Sequence, residues 1–134
     1  MGNWMKEFIE SIMQNDRVWN SVRVDGVEKE QFTYSDTADY FVHECGFVMF
    51  RMVTPSTYEI HVCMLKCKET QKFVEHCIKE MRNRGACKFI APIGDWNKSA
   101  LKLSKACGFI EEGRIKKAYI RDNKFHAMVM MGSK

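Results

Sequence analysis

The sequence predicts an α/β (α+β) fold, a mixed and mostly antiparallel central sheet flanked by helices, in a single domain spanning residues 1–134. Three observations carry this. A chain of 134 residues has the size of one domain and is too short to build a second core. Residues 38–65 hold three β-branched and aromatic runs, YFVHE, GFVMFRMV and TYEIHVCML, broken by Gly46 and by Thr54-Pro55-Ser56, which are turn residues. Beyond residue 65 the apolar period shifts between helix-like and strand-like, so helices alternate with strands.

Taken in order, residues 3–14 place Trp4, Met5, Phe8, Ile9 and Ile12 at helical spacing, with Asn3 positioned to cap the start. From Asn15 to Thr37 the pattern loosens, and apart from the β-prone Val-Arg-Val of residues 22–24 and Gln-Phe-Thr-Tyr of 31–34 it leaves strand, loop and short helix open. Residues 38–65 read as an antiparallel meander. In Thr70–Arg84, Phe73, Val74, Cys77, Ile78 and Met81 recur every three or four residues; Thr70 is placed to cap the helix and Gly85 to stop it. Cys87–Ala91 is a short buried strand. Asn97 then caps a helix that turns Ala100, Leu103 and Cys107 inward and stops at Gly108. Phe109–Ile120 and Lys124–Met131 flank Arg121-Asp122-Asn123 as a C-terminal hairpin.

Composition narrows the function classes. With 46% hydrophobic, 28% charged and 12% aromatic residues, the chain is a folding sequence and not a disordered one. No apolar stretch reaches the ~20 residues of a membrane span, and MGNWMKEFIE has no basic segment leading into an apolar run. No membrane partner and a cytoplasmic location are therefore expected. The net charge of +4 is uneven: residues 1–84 hold 11 basic and 13 acidic side chains, residues 85–134 hold 10 and 4. An anionic ligand would meet the second part first, although a solvated basic face accounts for the bias equally well. Nucleic acid is not an expected partner, because aromatic and basic residues do not interleave into a stacking platform. Five of the six cysteines lie in apolar runs and read as reduced core thiols. No metal site is expected, since His61, Cys63, Cys67, His76 and Cys77 contain no Cys-x-x-Cys pair, and His76 and Cys77 face different sides of their helix.

Two local patterns carry chemistry. Alternation along Tyr58–Leu65 puts Glu59, His61 and Cys63 on one face of a strand and Tyr58, Ile60, Val62 and Met64 on the other. A helix that follows a strand aims its first N–H groups off the strand end, where they bind phosphate readily.

The segment NKSALKLSKACGFIEEG (97–113) and the following RIKKAYIRDNKFHAMVMMG resemble the C-terminal half of the GNAT superfamily of acyl-CoA-dependent N-acetyltransferases. In particular they look like the branch that includes the ribosomal-protein N-terminal acetyltransferases. Asn97, Ala100, Gly108, Phe109, Glu112, Gly113, Arg121 and Asp122 match in order, and the resemblance covers about residues 38–131. It implies a GNAT-like fold, acetyl-CoA as cosubstrate and a primary amine, of a protein or small molecule, as acceptor. The implied cofactor contacts are backbone groups of Val62, Cys63 and Met64, the loop and helix start at Lys66, Lys68, Thr70, Gln71 and Lys72, and Asn97.

The resemblance makes Glu59 the expected general base, directly or through water, with His61 second because an imidazole titrates near neutrality. The plainer alternatives are a solvent-facing or lysine-paired Glu59 and a core His61. In many family members a tyrosine stands seven residues beyond the asparagine as general acid; here that residue is Ser104, a hydrogen-bond donor but a poor proton source, or simply a small packing residue. The loop KCKETQK (66–72) also lacks both glycines that the family usually has there, leaving Lys66, Lys68 and Lys72 to compensate by charge. These departures keep open a catalytically inactive GNAT-fold protein with a protein partner, in a bacteriophage assembly or host-interaction setting. Monomer and homodimer are both compatible with the sequence.

Overall fold

The computed structural model describes residues 3–134, with no side-chain placement at Asn3, so the Asn3 cap lies outside the described residues. Six strands form one sheet in the order β1-β2-β3-β4-β6-β5. They are β1 (Asp39–His43), β2 (Gly46–Thr54), β3 (Thr57–Met64), β4 (Lys88–Gly94), β5 (Ile110–Arg121) and β6 (Lys124–Gly132). The helices are α1 (Asn3–Gln14), α2 (Asp16–Val22), α3 (Thr70–Asn83) and α4 (Lys98–Ala106). Every strand pair is antiparallel except β3 with β4. The mixed, mostly antiparallel sheet flanked by helices is therefore present.

The strand β2 shows why the sheet must be covered on both sides. Its Phe47-Val48-Met49-Phe50 run is buried throughout, as happens only when each face of the pleat meets a helix layer. Val48 and Phe50 join Ile60, Phe89, Val129 and Met131 under α3, which contributes Val74, Cys77 and Met81. Phe47 and Met49 join Ile9, Ile12, Met13 and Val18 of α1 and α2 on the opposite face. Gly46 opens β2 at φ 152°, and a Cβ there would collide with the Cys63 carbonyl, so the turn lies flush against β3.

Several sequence expectations are corrected. The segment 15–37 contains α2 and a 3-10 turn at Lys29–Gln31, and neither Val22–Val24 nor Gln31–Tyr34 is a strand. Asn15 caps α2, its Oδ1 accepting the N–H groups of Arg17 (3.0 Å) and Val18 (3.2 Å). Thr70 does not cap α3: Glu69 occupies that position without a side-chain cap, and the Thr70 hydroxyl donates back to the Cys67 carbonyl at 3.0 Å. The strand expected at Cys87–Ala91 runs instead over Lys88–Gly94. The cysteines are all free; Cys77 is in the core and Cys63 and Cys107 pack half-buried against it, while Cys87 is exposed, so the expectation of core thiols holds for only part of the set. Gly85 and Gly108 end α3 and α4 at positive φ, and Asp122 and Asn123 make the hairpin turn with φ of 52° and 62°, all as expected.

Candidate active site

The parallel ladder between β3 and β4 is short. Thr57 pairs with Lys88, Tyr58 with Phe89 and Glu59 with Ile90, and there the pairing stops, although β3 continues to Met64 and β4 to Gly94. The two strands part like the arms of a V. Two features hold them open: β4 is drawn to β6 from Ile90↔Gly132 to Gly94↔Met128, while β3 stays paired with β2 along its length. Between the arms lies a cleft of about 520 Å³. Backbone groups of β3 beyond Glu59 that point toward β4 are left without a ladder partner on this side.

Each wall comes from a different element. The arms supply Glu59–Cys63 and Ala91–Gly94; α4 supplies Asn97, Ala100, Leu103 and Ser104; the hairpin supplies Ile115, Tyr119, Met128 and Met130. Ser21 and Val22 of α2 close the side that the sequence left undefined. Trp96 and Asn97 fasten α2 there, the indole N–H donating to the Ser21 carbonyl at 2.9 Å and the Asn97 amide at 3.2 Å. Gly94 is required for this corner, since a Cβ would strike the Trp96 ring. Arg121 completes the fastening by donating to the carbonyls of Asn20 (2.7 Å) and Arg23 (3.0 Å) while its guanidinium lies 4.9 Å over the Trp96 ring.

Where the two strands begin to part, the Glu59 carboxylate and the His61 imidazole meet, Oε1 to Nε2 at 2.8 Å. Both side chains lie about a third exposed, 28% and 32%, so the pair is open to solvent while one carboxylate oxygen, Oε2, makes no hydrogen bond among the described residues. Tyr119 stands nearby: burial first, and then the Glu59 charge, push its phenol above the ordinary value, so it remains a donor at neutral pH. Cys63 and Cys107 also line the cleft, but burial pushes their thiols up to about 12 and about 11. Neither is a thiolate nucleophile near neutrality.

The remaining expected site residues are distributed unevenly. Val62, Cys63 and Asn97 line the cleft, but Asn97 is already committed as the α4 cap, accepting the Ala100 N–H at 3.2 Å. Ser104 lines it too, with its hydroxyl donated to the Leu101 carbonyl at 2.8 Å within its own helix. Met64, Lys66, Lys68, Thr70, Gln71 and Lys72 lie outside the cleft wall, on the end of β3 and the start of α3. Of these Gln71 ties α3 to α4 by donating to the Ala106 carbonyl at 3.3 Å, and the three lysines are exposed. Sequence reasoning missed Tyr119, Ser21 and Val22. For α2 a signal existed in Asn15-Asp16 followed by Val18, Trp19 and Val22.

At the level of sequence no family model and no curated relative matches this chain. Solved structures do. A candidate phosphinothricin N-acetyltransferase aligns over 96% of this chain and 93% of its own, with a TM-score of 0.76 at 18% identity. The spermidine N-acetyltransferase from Vibrio cholerae, in complex with CoA and spermine, aligns over 98% and 90%, with a TM-score of 0.77 at 12% identity.

The chain has the GNAT fold. A candidate acetyltransferase from Salmonella typhimurium, solved with its cofactor acetyl-CoA, is similar over 67% of this chain at a TM-score of 0.62 and 18% identity, and this chain spans 57% of its length. The loop before α3 is Lys66, Cys67, Lys68 and Glu69, with no glycine.

Proposed function

We propose that the protein is an acetyl-CoA-dependent N-acetyltransferase acting on a primary amine. The observation that carries this reading is the open V between β3 and β4 with the Glu59–His61 pair where the strands part. A protein that had given up catalysis has no need of a solvent-open cleft with a free carboxylate oxygen inside it. Spermidine, the amine named for the Vibrio cholerae neighbour, illustrates the acceptor class only.

The chemistry follows from the parts. Transfer needs an amine stripped of its proton, a donor for the tetrahedral oxyanion and a proton for the departing thiolate. An ammonium entering the cleft meets Glu59 Oε2, which takes its proton directly or through a water, while His61 donates its Nε2–H to Oε1 and holds the carboxylate in place. The freed amine attacks the thioester carbonyl. Backbone N–H groups of β3 around Val62–Met64 that face the vacant side of the ladder receive the oxyanion. The tetrahedral intermediate then collapses, the C–S bond breaks and the sulfur takes a proton. Tyr119 is the phenol in the cleft able to give one; Ser104 is not, because its hydroxyl is spent on Leu101.

For the cosubstrate's phosphates, the start of α3 offers an N-terminus without a side-chain cap, with Lys66, Lys68 and Lys72 exposed around it. Charge there takes over from the glycines. Binding should accordingly be more sensitive to salt than a cradle of backbone N–H groups would be.

Thermal unfolding with acetyl-CoA, CoA and ATP tests the reading. At a hundred times the dissociation constant the ligand adds about 2.7 kcal/mol and raises the midpoint by several degrees. Acetyl-CoA and CoA should do so and ATP should not. Glu59→Gln should keep that shift while lowering turnover of a polyamine or peptide amine by about 10²–10⁴-fold. A midpoint indifferent to saturating acetyl-CoA would refute acetyl transfer and turn the search to a protein partner.

A further inference from the structure

Away from the cleft, the far ends of β1 and β3 bring together three side chains of metal-ligating chemistry. His43 is the last residue of β1, Cys45 sits in the β1–β2 turn and Cys67 in the loop between β3 and α3. One ligand atom from each lies within 4.8 Å of the other two, and all three residues are half-buried. We propose that His43, Cys45 and Cys67 form a site for a thiophilic divalent cation of the zinc class, clamping the β1–β2 turn to the β3–α3 loop.

The scaffold around these atoms is already fixed. The Leu65 N–H donates to the Cys45 carbonyl at 2.8 Å, and Gly46 packs flush on β3 opposite Met64, so the turn and the loop do not drift apart. The imidazole is oriented as a ligand needs to be. Its Nδ1 accepts the Cys45 N–H at 3.0 Å, which puts the proton of the neutral ring on Nε2, and Nε2 lies 3.5 Å from Glu69 Oε1. A cation takes the Nδ1 lone pair in place of that N–H, while Nε2–H stays directed at the carboxylate. Carboxylate, histidine and metal then form the chain that commonly holds ligating imidazoles in their tautomer. The ring packs 4.9 Å from Phe73, which limits its rotation.

Charge and geometry agree with a soft dication. Two thiols release their protons to solvent on binding and the resulting thiolates balance the cation. In a tetrahedral zinc centre neighbouring ligand atoms stand about 3.3–3.8 Å apart, so these three, all within 4.8 Å of one another, need to close by at most about 1.5 Å, with water in the fourth position. A hard cation such as Mg²⁺ prefers oxygen donors and is disfavoured by the two sulfurs. Neither Glu59 nor His61 takes part, so cation binding is read without any acetyl transfer.

Titration of the full chain with Co²⁺, after chelator treatment and desalting under a phosphine reductant, tests the site. The expected result is saturation at one Co²⁺ per chain, with thiolate-to-cobalt charge transfer in the near ultraviolet and the visible bands of a tetrahedral centre, all abolished by added Zn²⁺. The double variant Cys45→Ser/Cys67→Ser should lose the charge-transfer absorption, with its circular dichroism unchanged. Cys87→Ser, at an exposed thiol elsewhere, should retain it. If the unsubstituted protein shows no charge-transfer band, or the double variant shows the same band, the proposal is overturned. Should the double variant fail to fold, His43→Ala gives the second reading, and an unaltered spectrum there overturns it equally.

Discussion

Asp95 occupies the corner between β4 and α4, where one carboxylate oxygen receives the Ala127 N–H at 3.0 Å and the other meets His126 Nδ1 at 2.7 Å. Burial opposes the charge, but the Ala127 hydrogen bond and then the His126 contact outweigh it and hold the carboxyl below its ordinary value of 3.8. A depressed carboxyl contributes stability that is complete above the unfolded value and fades as pH falls through the folded one. Asp95→Asn should therefore cost on the order of 1 kcal/mol at neutral pH. Thermal midpoints of the two proteins should keep a constant gap down to about pH 4 and converge below it. A gap that persisted at the lowest pH would rule out ionisation as its source. The residue scale also explains why Ser104 is a weak acid candidate: its position is right for the family pattern, while its hydrogen bond runs back into α4.

Among the elements, α2 decides how the cleft is closed, and it is held by few contacts. Its seven residues are too short to persist alone, so the Asn15 cap, Val18 in the core and the links from Trp96, Asn97 and Arg121 keep it in place. The hairpin turn adds to this, because Asp25 accepts the N–H groups of Asp122 (3.0 Å) and Asn123 (2.8 Å). Asn15→Ala should remove about 1 kcal/mol and lower the midpoint by about 3–6 °C. Hydrogen exchange at Arg17 and Val18 should accelerate along with it. Unchanged protection at those two amides would mean that tertiary contacts, and not the cap, set the stability of α2. In the sequence this helix was hidden because seven residues give only two turns of apolar period and it ends on the β-prone Val22, and packing against α1 and β2 selects the helical alternative.

For the whole molecule, the sheet joins two apolar layers, and β2 belongs to both. Phe50 lies at the centre of one layer, with Phe41 and Phe89 rings 5.6 and 5.5 Å away. Phe50→Ala should cost about 3–5 kcal/mol. Because the layers share β2, near- and far-ultraviolet circular dichroism should lose signal at one common urea midpoint, shifted down in the variant. Separate midpoints for the two signals would show that the layers unfold independently. No helix among the described residues is long and apolar enough to cross a membrane.

The sequence by itself determined the elements whose signal is local. The apolar spacing of α3, the glycine stops at 85 and 108, the Asp-Asn turn at 122–123 and the alternation that puts Glu59 and His61 on one face were all legible, since each depends on neighbours a few residues away. Even the family resemblance rested on such short-range order. Only tertiary structure decided where β3 and β4 part, because that depends on β6 pulling β4 away from a strand paired to β2 on its other side. It likewise brought Tyr119 beside Glu59, sixty positions apart in the chain, and Cys67 to His43 and Cys45 across the end of the sheet. Contacts of that kind arise from strand order, which local residue patterns do not encode.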